Sequence, residues 1–365
     1  MRLGITGSSG FIGWHLRCLL RERPDLEVIT ANEKEFSSDE LMGTFVSDCD
    51  AIIHLAGMNR GSEEDVYNVN VWLARALVGA CEERKAAPRI IFANSIQFER
   101  ENAYGRSKKE AWDTIAQWAE KAGAHCVNVI LPNVFGEHGR PFYNSVVATF
   151  CFQLADGQKP EIIEDRVIPL IHVRDVAELL LEAAEGGKGG EMRPQGKEVT
   201  VSELLNLLRQ IDAEYRKGVL PDLSDVFVRK LFNAYRSFLF PSFYPVYPKV
   251  NEDERGSLFE TVVARSGGQS FMSTTKPGII RGNHYHVNKF ERFLVVRGNA
   301  LIRLRRVLTD QVYEFKLGGD IPGYVDIPTL HTHNIMNIGE EELITLFWAD
   351  EIFDPQAPDT FSEQV

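Results

Sequence analysis

The hydrophobic and polar positions of this chain follow one rhythm for two thirds of its length and another thereafter. Strand-like apolar runs at Arg2–Thr6, Glu27–Thr30, Ala51–Gly57, Arg89–Asn94 and His125–Leu131 are separated by helical patterns such as Trp14–Arg23 and Glu63–Glu83. This alternation predicts a parallel sheet with helices on both faces. Two amphipathic helices, Val201–Ile211 and Asp222–Phe240, are expected to complete a substrate lobe. Gly186-Gly187-Lys188-Gly189-Gly190 reads as a flexible connection inside this region. Pro241-Ser242-Phe243-Tyr244-Pro245-Val246-Tyr247-Pro248 forbids regular helix and marks the junction, with its aromatics expected to pack between domains. From Ser257 onward short strands follow closely: Leu258–Ala264, Phe271–Thr275, Arg292–Val296, Ala300–Val307, Val312–Leu317, Tyr324–Ile327 and Leu343–Trp348. Turns such as Arg297-Gly298-Asn299 and Leu317-Gly318-Gly319-Asp320 separate them, which predicts a double-sheet jelly roll or small barrel. The expected architecture is an α/β doubly wound, Rossmann-type domain over residues 1–243 and an all-β jelly-roll barrel over residues 244–365.

Composition narrows the function. At 365 residues and 44% hydrophobic, the chain can bury two cores. A formal net charge of -12 argues against general binding to nucleic acid or an anionic membrane, because counterion release needs a basic face. An anionic ligand has to be held by local Arg, Lys and backbone N–H groups. Cys18, Cys49, Cys81, Cys126 and Cys151 are scattered without metal spacing, the pattern of reduced thiols in a cytoplasmic protein. The first residues already read as strand, so no signal peptide is expected, and no apolar run approaches the roughly 20 residues that span a bilayer.

Candidate chemistry begins at the first turn. Arg2–Thr6 runs into Thr6-Gly7-Ser8-Ser9-Gly10-Phe11-Ile12-Gly13 and then a helix. A glycine turn there lets a pyrophosphate approach the backbone and sit on the helix's N-terminal amides. The third strand ends in Leu55-Ala56-Gly57, where a cofactor would cross the sheet. Gly7, Ser9, Gly10, Phe11, Ile12, Leu55, Ala56 and Gly57 are therefore the expected cofactor contacts. No acidic side chain precedes Glu33 after the second strand, and Lys34 is close, which favours NADP over NAD. Ser95 ends the fourth strand, and Tyr104 and Lys108 share one face of the next helix. An ammonium beside a phenol lowers the phenol's pKa, so Tyr104 could give or take a proton near neutral pH. Ser95 would hydrogen-bond the reacting carbonyl, and Lys108 could also hold the nicotinamide ribose. Beyond the fifth strand, Asn133, Arg140, Tyr143 and Asn144 are candidates for a substrate's sugar and phosphates, with Arg166 and Arg174 for added positive charge.

The motifs Thr6-Gly7-x-x-Gly10-Phe11-Ile12-Gly13, His54-Leu55-Ala56-Gly57, Asn70, Ser95, Tyr104, Lys108, Pro132-Asn133-Val134-Phe135-Gly136 and Ile171-His172-Val173-Arg174-Asp175-Val176-Ala177 resemble the extended short-chain dehydrogenase/reductase family. Two features depart from it: the Ser95 to Tyr104 interval is short, and Asn94-Ser95 stands where many members have two or three serines. The resemblance implies a nicotinamide-dependent reaction on a nucleotide-diphosphate sugar.

The last third holds a second constellation, Gly278-x5-His284-Tyr285-His286-x4-Glu291-x6-Gly298. Side chains alternate along a strand, so both histidines can reach one ion, and Glu291 on the returning strand can supply a third ligand. In Pro328-Thr329-Leu330-His331-Thr332-His333-Asn334 the spacing favours His333 over His331 as the fourth. Imidazole plus carboxylate suits zinc, manganese, iron or nickel. Residues 278–298 match every fixed position of the first cupin motif. Pro328, His333 and Asn337 fit the second, while Leu330 replaces its usual glycine and Gly323 is one residue off register. The resemblance to the cupin family implies a metal at the barrel's mouth.

A 4-keto-6-deoxy sugar on a nucleotide gives both sites work. Its ketone acidifies the proton on carbon 3, a divalent cation could stabilise the resulting charge, and a nicotinamide with Tyr104 could then reduce carbon 4. Lys276 and Tyr285, with Tyr324 and His331, are candidates for moving protons during the inversion. Nearly the full length resembles the bifunctional capsular-polysaccharide enzymes of the CapF/WbjC type. The likeness includes Ser95-Ile96-Gln97, Asn144-Ser145-Val146-x-Ala148-Thr149-Phe150-Cys151, Lys276-Pro277-Gly278-Ile279 and Phe353-Asp354-Pro355-x-x-Pro358-Asp359-Thr360. It implies a UDP-linked 4-keto-6-deoxy amino sugar as substrate, NADPH, a zinc-bearing cupin and a homodimer, on the route to UDP-N-acetyl-L-fucosamine. Two alternatives stay open: a single-activity ketoreductase whose cupin only dimerises or supports, and a regulatory protein that senses NADP without turnover.

Overall fold

The computed structural model describes residues 1–186, 189–253, 256–258, 261–265, 267–351 and 354–365. Gly187 and Lys188 of the glycine-rich connection, residues 259 and 260 of the strand expected over 258–264, and Phe353 lie outside the described residues. Contacts divide the chain into two compact units, Met1–Thr149 with Ile162–Ser202, and Phe150–Glu161 with Glu203–Val365.

Strands and helices alternate first: β1 (Arg2–Thr6), α1 (Phe11–Leu20), β2 (Glu27–Ala31), α2 (Glu33–Phe36), α3 (Asp39–Asp48), β3 (Ala51–His54), α4 (Glu63–Arg84), β4 (Arg89–Ser95), α5 (Ala103–Ala122) and β5 (Cys126–Leu131). There follow β6 (Asn133–Phe135), α6 (Val146–Ala155), β7 (Val167–His172), α7 (Val173–Glu185), β8 (Gly190–Met192) and β9 (Lys197–Thr200). The main sheet has six strands in the order β2-β1-β3-β4-β5-β8, and each neighbouring pair is parallel. Alternation along each strand supplies two cores. Ile52, Ile90 and Phe92 pack with Phe45, Leu77 and Ile115, whereas their neighbours Ile53 and Ile91 pack with Leu16, Val176 and Leu180 on the other face. Helix starts follow local chemistry: Ser38, Ser62 and Asn102 accept the N–H groups of Leu41, Asp65 and Gly105. Strand order reverses between β1 and β3, which places a crevice beyond their carboxyl ends.

The rest comprises α8 (Val201–Tyr215), β10 (Val219–Leu220), α9 (Val226–Leu239), β11 (Asn251–Asp253), β12 (Gly256–Leu258), β13 (Val263–Ala264), β14 (Gln269–Thr275), β15 (Ile280–Tyr285), β16 (Glu291–Arg297), β17 (Asn299–Arg306), β18 (Val312–Gly318), β19 (Tyr324–Ile327), β20 (His331–Asn337), β21 (Leu343–Ala349) and β22 (Phe361–Ser362). Sheets β14-β21-β16-β19 and β18-β17-β20-β15-β22 enclose Phe293, Val295, Ile302, Leu304, Val325, Ile335 and Phe347. The fold is the expected one, a Rossmann-type parallel sheet followed by an all-β cupin barrel.

The contact division differs from the expected boundary after residue 243, since α9 and most of α8 fall with the barrel. A buried polar network accounts for this. Arg292 forks onto Asp326 at 2.7 and 3.0 Å, and the Tyr215 hydroxyl donates to the same carboxylate and meets the Tyr244 hydroxyl at 2.7 Å. Arg236 of α9 donates to the Ile327 carbonyl at 3.2 Å. Breaking a buried pair of this kind costs about 3–5 kcal/mol, so the helices that complete it stay with the barrel.

Candidate functional site

Gly7 shapes the crevice. Its φ is +66°, and an added Cβ would come within 2.7 Å of the Ala56 nitrogen, so a side chain would force the turns after β1 and β3 apart. Thr6 ties those turns together. Its Oγ1 accepts the Leu55 and Ala56 N–H groups at 3.2 Å each and lies 2.7 Å from His54 Nδ1. Burial pulls that imidazole down to about 3, with Lys108 adding to the effect, so it stays neutral. α1 starts with Gly10 as its N-cap and no side chain capping it, which leaves its first N–H groups for an anionic ligand. Asn32 exchanges hydrogen bonds with Ser8 at 3.0 and 3.2 Å, and its own N–H reaches the Glu35 carboxylate at 2.7 Å. Glu35 is thus committed to capping α2, and Glu33 is exposed.

Ser95 closes β4 and caps a short 3-10 turn, accepting the Gln97 N–H at 3.2 Å. That turn fills the short interval before α5. Burial pushes the Tyr104 phenol above its usual value, an effect that nearby Ser95 only partly offsets. Lys108 does not lower the phenol here, contrary to the sequence expectation. Its Nζ is turned to the Ala93 carbonyl at 2.6 Å and lies 4.2 Å from the Phe92 ring centroid, while burial pulls the ammonium down to about 7. Asn70 grips Met58, accepting its N–H and donating to its carbonyl at 2.7 Å each, and reaches Ser107 of α5 at 3.0 Å.

The loop after β6 brings Arg140, Tyr143 and Asn144 together. The guanidinium carbon of Arg140 lies 4.7 Å from the Tyr143 ring centroid, Asn144 donates to the Asn59 carbonyl at 3.0 Å, and Arg60 donates to the Phe142 carbonyl. Asn133 at the start of β6 donates to Pro169 at 3.1 Å. Arg166 is not brought to this group. It precedes β7, which runs parallel to β6, so it lies at the opposite end of that sheet and pairs with exposed Glu164 at 3.6 Å. Arg174 is engaged by Glu178 at 2.9 Å and Glu22 at 3.5 Å. The sequence reading passed over buried Glu137, whose carboxylate meets His172 Nε2 at 3.2 Å and whose carbonyl meets His15 Nε2 at 2.9 Å. Burial pushes this carboxyl up, but His172 outweighs that and holds it well below the usual range.

In the barrel, β15 and β20 pair antiparallel with His284 opposite His333, next to a bulge at Gly282. Ligand atoms of His284, His286, Glu291 and His333 all lie within 4.8 Å of one another. His286 Nδ1 faces the Asp359 carbonyl at 2.6 Å, and His333 Nδ1 faces the His331 carbonyl at 3.1 Å. A ring nitrogen facing a carbonyl donates, so both Nε2 atoms turn lone pairs toward the cluster. These Nε2 atoms are buried without a hydrogen-bond partner, although Glu291 Oε2 lies only 3.1 and 3.4 Å away. Lone pairs that close together call for a cation or a shared proton between them. Burial pulls the His284 imidazole down to about 3, and burial likewise lowers His333. Three imidazoles and one carboxylate suit a zinc-class divalent ion.

The motif glycines have a backbone reason, since Gly278 and Gly298 sit at φ +74° and +88°. Leu330, in place of the second motif's glycine, adopts φ +58° and donates its N–H to the His286 carbonyl at 2.7 Å. Lys276 is not brought to the cluster: it is exposed on the turn before β15, and the strand from Ile280 to His284 alone spans about 13 Å. Tyr285 faces away because it alternates with the two histidines, and it stacks on Phe361 with centroids 5.4 Å apart. Tyr324 lies under the Arg292 guanidinium at 3.9 Å, and His331 shares its strand face with His333, against Phe240 at 4.7 Å.

Residues 3–193 match the NAD dependent epimerase/dehydratase family, and residues 251–361 match the polysaccharide biosynthesis C-terminal domain. The chain is 31% identical to the UDP-2-acetamido-2,6-beta-L-arabino-hexul-4-ose reductase of Pseudomonas aeruginosa, over 99% of this chain and 98% of that one. It covers 100% of the capsular polysaccharide assembling protein CapF of Staphylococcus aureus, and 100% of itself, at 32% identity and a TM-score of 0.63. UDP-glucose 4-epimerase of Thermus thermophilus, solved with NAD, shares the fold over 58% of this chain and 84% of its own at 22% identity and a TM-score of 0.51. Among the described residues no helix is long and apolar enough to cross a membrane.

Proposed function

We infer the reaction from one premise: the chain belongs to the NAD dependent epimerase/dehydratase family and, over its full length, to the CapF type. It is an NAD(P)-dependent oxidoreductase of a UDP-sugar in capsular polysaccharide synthesis. More finely, it inverts carbon 3 of a UDP-linked 4-keto-6-deoxy-N-acetylhexosamine in the barrel. It then reduces the carbon-4 ketone in the nucleotide fold, toward UDP-N-acetyl-L-fucosamine. One observation carries this reading: the same chain holds Ser95 at the carboxyl end of β4 with Tyr104 and Lys108 on the next helix, and a buried cluster of three imidazoles and a carboxylate. A ketone joins the two, because it can accept hydride itself and acidifies the carbon beside it.

In the nucleotide fold Ser95 orients the carbonyl, and Tyr104 gives its phenolic proton to the oxygen as that becomes a hydroxyl. NADPH supplies the hydride when bound. Lys108, on the face of α5 that carries Tyr104, holds the nicotinamide ribose. Asn32, with Glu35 committed elsewhere and Lys34 nearby, suits the extra phosphate of NADP. Arg140, Tyr143, Asn144 and Asn133 hold the sugar and diphosphate. In the barrel His284, His286, Glu291 and His333 hold a divalent ion, zinc by the donor set, which supplies Lewis-acid stabilisation of developing negative charge. The protein works in the cytoplasm as a homodimer.

The test is incubation with NADPH and the UDP-linked 4-keto-6-deoxy-N-acetylhexosamine, with the product assigned by NMR. Without NADPH, in deuterium oxide, the barrel should still place deuterium on carbon 3. Reduction without that exchange, from a protein that holds no metal, would leave a single-activity ketoreductase with a supporting barrel.

A further inference from the structure

We propose that the C-terminal segment Asp359–Gln364 is the outer shell of the histidine cluster and sets its affinity for a divalent ion. The proposal rests on reading that cluster as a metal site, and adds positioning residues that none of the cluster's own motifs contains. Each residue from Asn283 to Lys289 has a partner in the segment. The Asp359 carbonyl receives the Nδ1 proton of His286 at 2.6 Å, which fixes the tautomer whose Nε2 faces Glu291. Its carboxylate accepts three consecutive backbone N–H groups, from Val287, Asn288 and Lys289 at 3.2, 2.8 and 2.8 Å. Those residues form the turn that joins His286 to Glu291, so the separation of two ligands is held by one side chain.

β22 then lies against β15, with Ser362 opposite His284 and Phe361 opposite Tyr285. The Phe361 ring stacks on Tyr285 with centroids 5.4 Å apart, and the Glu363 N–H donates to the Asn283 carbonyl at 2.9 Å. Beyond it Arg305 of β17 closes the clamp, reaching the Glu363 carboxylate and the Gln364 carbonyl at 2.7 Å each. The Arg305 and Glu363 side chains are only 15% and 9% exposed, so this pair is far less screened than a surface ion pair. Asp359 holds φ +39°, a conformation unfavourable for a non-glycine residue, which is consistent with a position held in place by the contacts it makes.

The full chain is stripped with a chelator and titrated with zinc in competition with a chromophoric chelator. Asp359→Asn and a chain ending at Pro358 are compared with the parent. Asparagine tolerates the left-handed backbone and keeps the carbonyl to His286, so it alters only the carboxylate and carries the test if the shortened chain fails to fold. Asp359→Asn is expected to weaken zinc about tenfold, and truncation about a hundredfold, with the metal-free Asp359→Asn protein still melting cooperatively and close to the parent. Parental affinity in Asp359→Asn overturns the proposal, as does a metal-free melt that falls along with the affinity. A parent that binds no zinc overturns the metal reading itself, and this inference with it.

Discussion

The nucleotide crevice and the histidine cluster treat their polar atoms in opposite ways. Around the crevice, Thr6, Asn70 and Lys108 turn their side chains onto backbone groups, at the Leu55–Ala56 turn, Met58 and Ala93. The cluster uses its outer hydrogen bonds to leave inner atoms bare, with two buried Nε2 atoms facing one carboxylate. A site for a large organic ligand is shaped by main chain, so side chains there mostly hold loops. A site for an ion is made of lone pairs, so its ligands must be held from behind.

The contrast is tested most sharply at Tyr104. Tyr104→Phe should cut NADPH-dependent reduction about a hundred- to ten-thousandfold while deuterium exchange at carbon 3 continues. If NADPH consumption is unchanged, the serine–tyrosine assignment is wrong. Glu291→Gln is the mirror test: bound metal measured by atomic absorption should fall well below one per chain, and exchange should stop, while NADPH still binds by fluorescence titration. Loss of carbon-3 exchange from Tyr104→Phe, or of NADPH binding from Glu291→Gln, would mean that the sites do not act separately.

Gly7→Ala should come next in size. Its Cβ would meet the Ala56 backbone at 2.7 Å, and its φ of +66° adds strain of roughly 1–3 kcal/mol. The expected result is weaker NADPH binding and a lower melting temperature, with zinc content unchanged.

Without any ligand, two pH slopes of opposite sign are expected. Lys108 is pulled down to about 7 from 10.5, so the unfolded chain binds more protons between those values and stability should rise with pH across them. Asp350, buried in the barrel unit with one oxygen accepting the Phe290 N–H, is pushed up by burial from 3.8 to about 6. There the folded state holds more protons, so stability should fall as pH rises through that window. Urea midpoints of the ligand-free protein would show both slopes, and Lys108→Met and Asp350→Asn should each flatten its own.

Much of this was legible in the residues. Gly7, Gly278 and Gly298 stand where the backbone takes a positive φ, and a glycine at fixed spacing is visible in a sequence. Alternation along a strand was enough to place His284 and His286 on one face and, applied to Tyr285, would have excluded it. Asp359 was noticed only as part of a terminal likeness, because a residue that closes a turn some seventy positions upstream leaves no local periodicity. Lys276 and Arg166 lie apart from the groups expected for them for a related reason: nearness along the chain to a motif says nothing about which end of a strand a residue occupies.

The order of strands and helices, the glycine turn, the Tyr104–Lys108 face and the ligand types were determined by the sequence itself, because each depends on the local geometry of a strand or helix. The direction of the Lys108 ammonium, the tautomers of His286 and His333, and the attachment of α8 and α9 to the barrel were decided by tertiary structure. Each of these depends on which buried carbonyl or carboxylate arrives from a distant part of the chain, and on the free energy lost if a buried polar group has no partner.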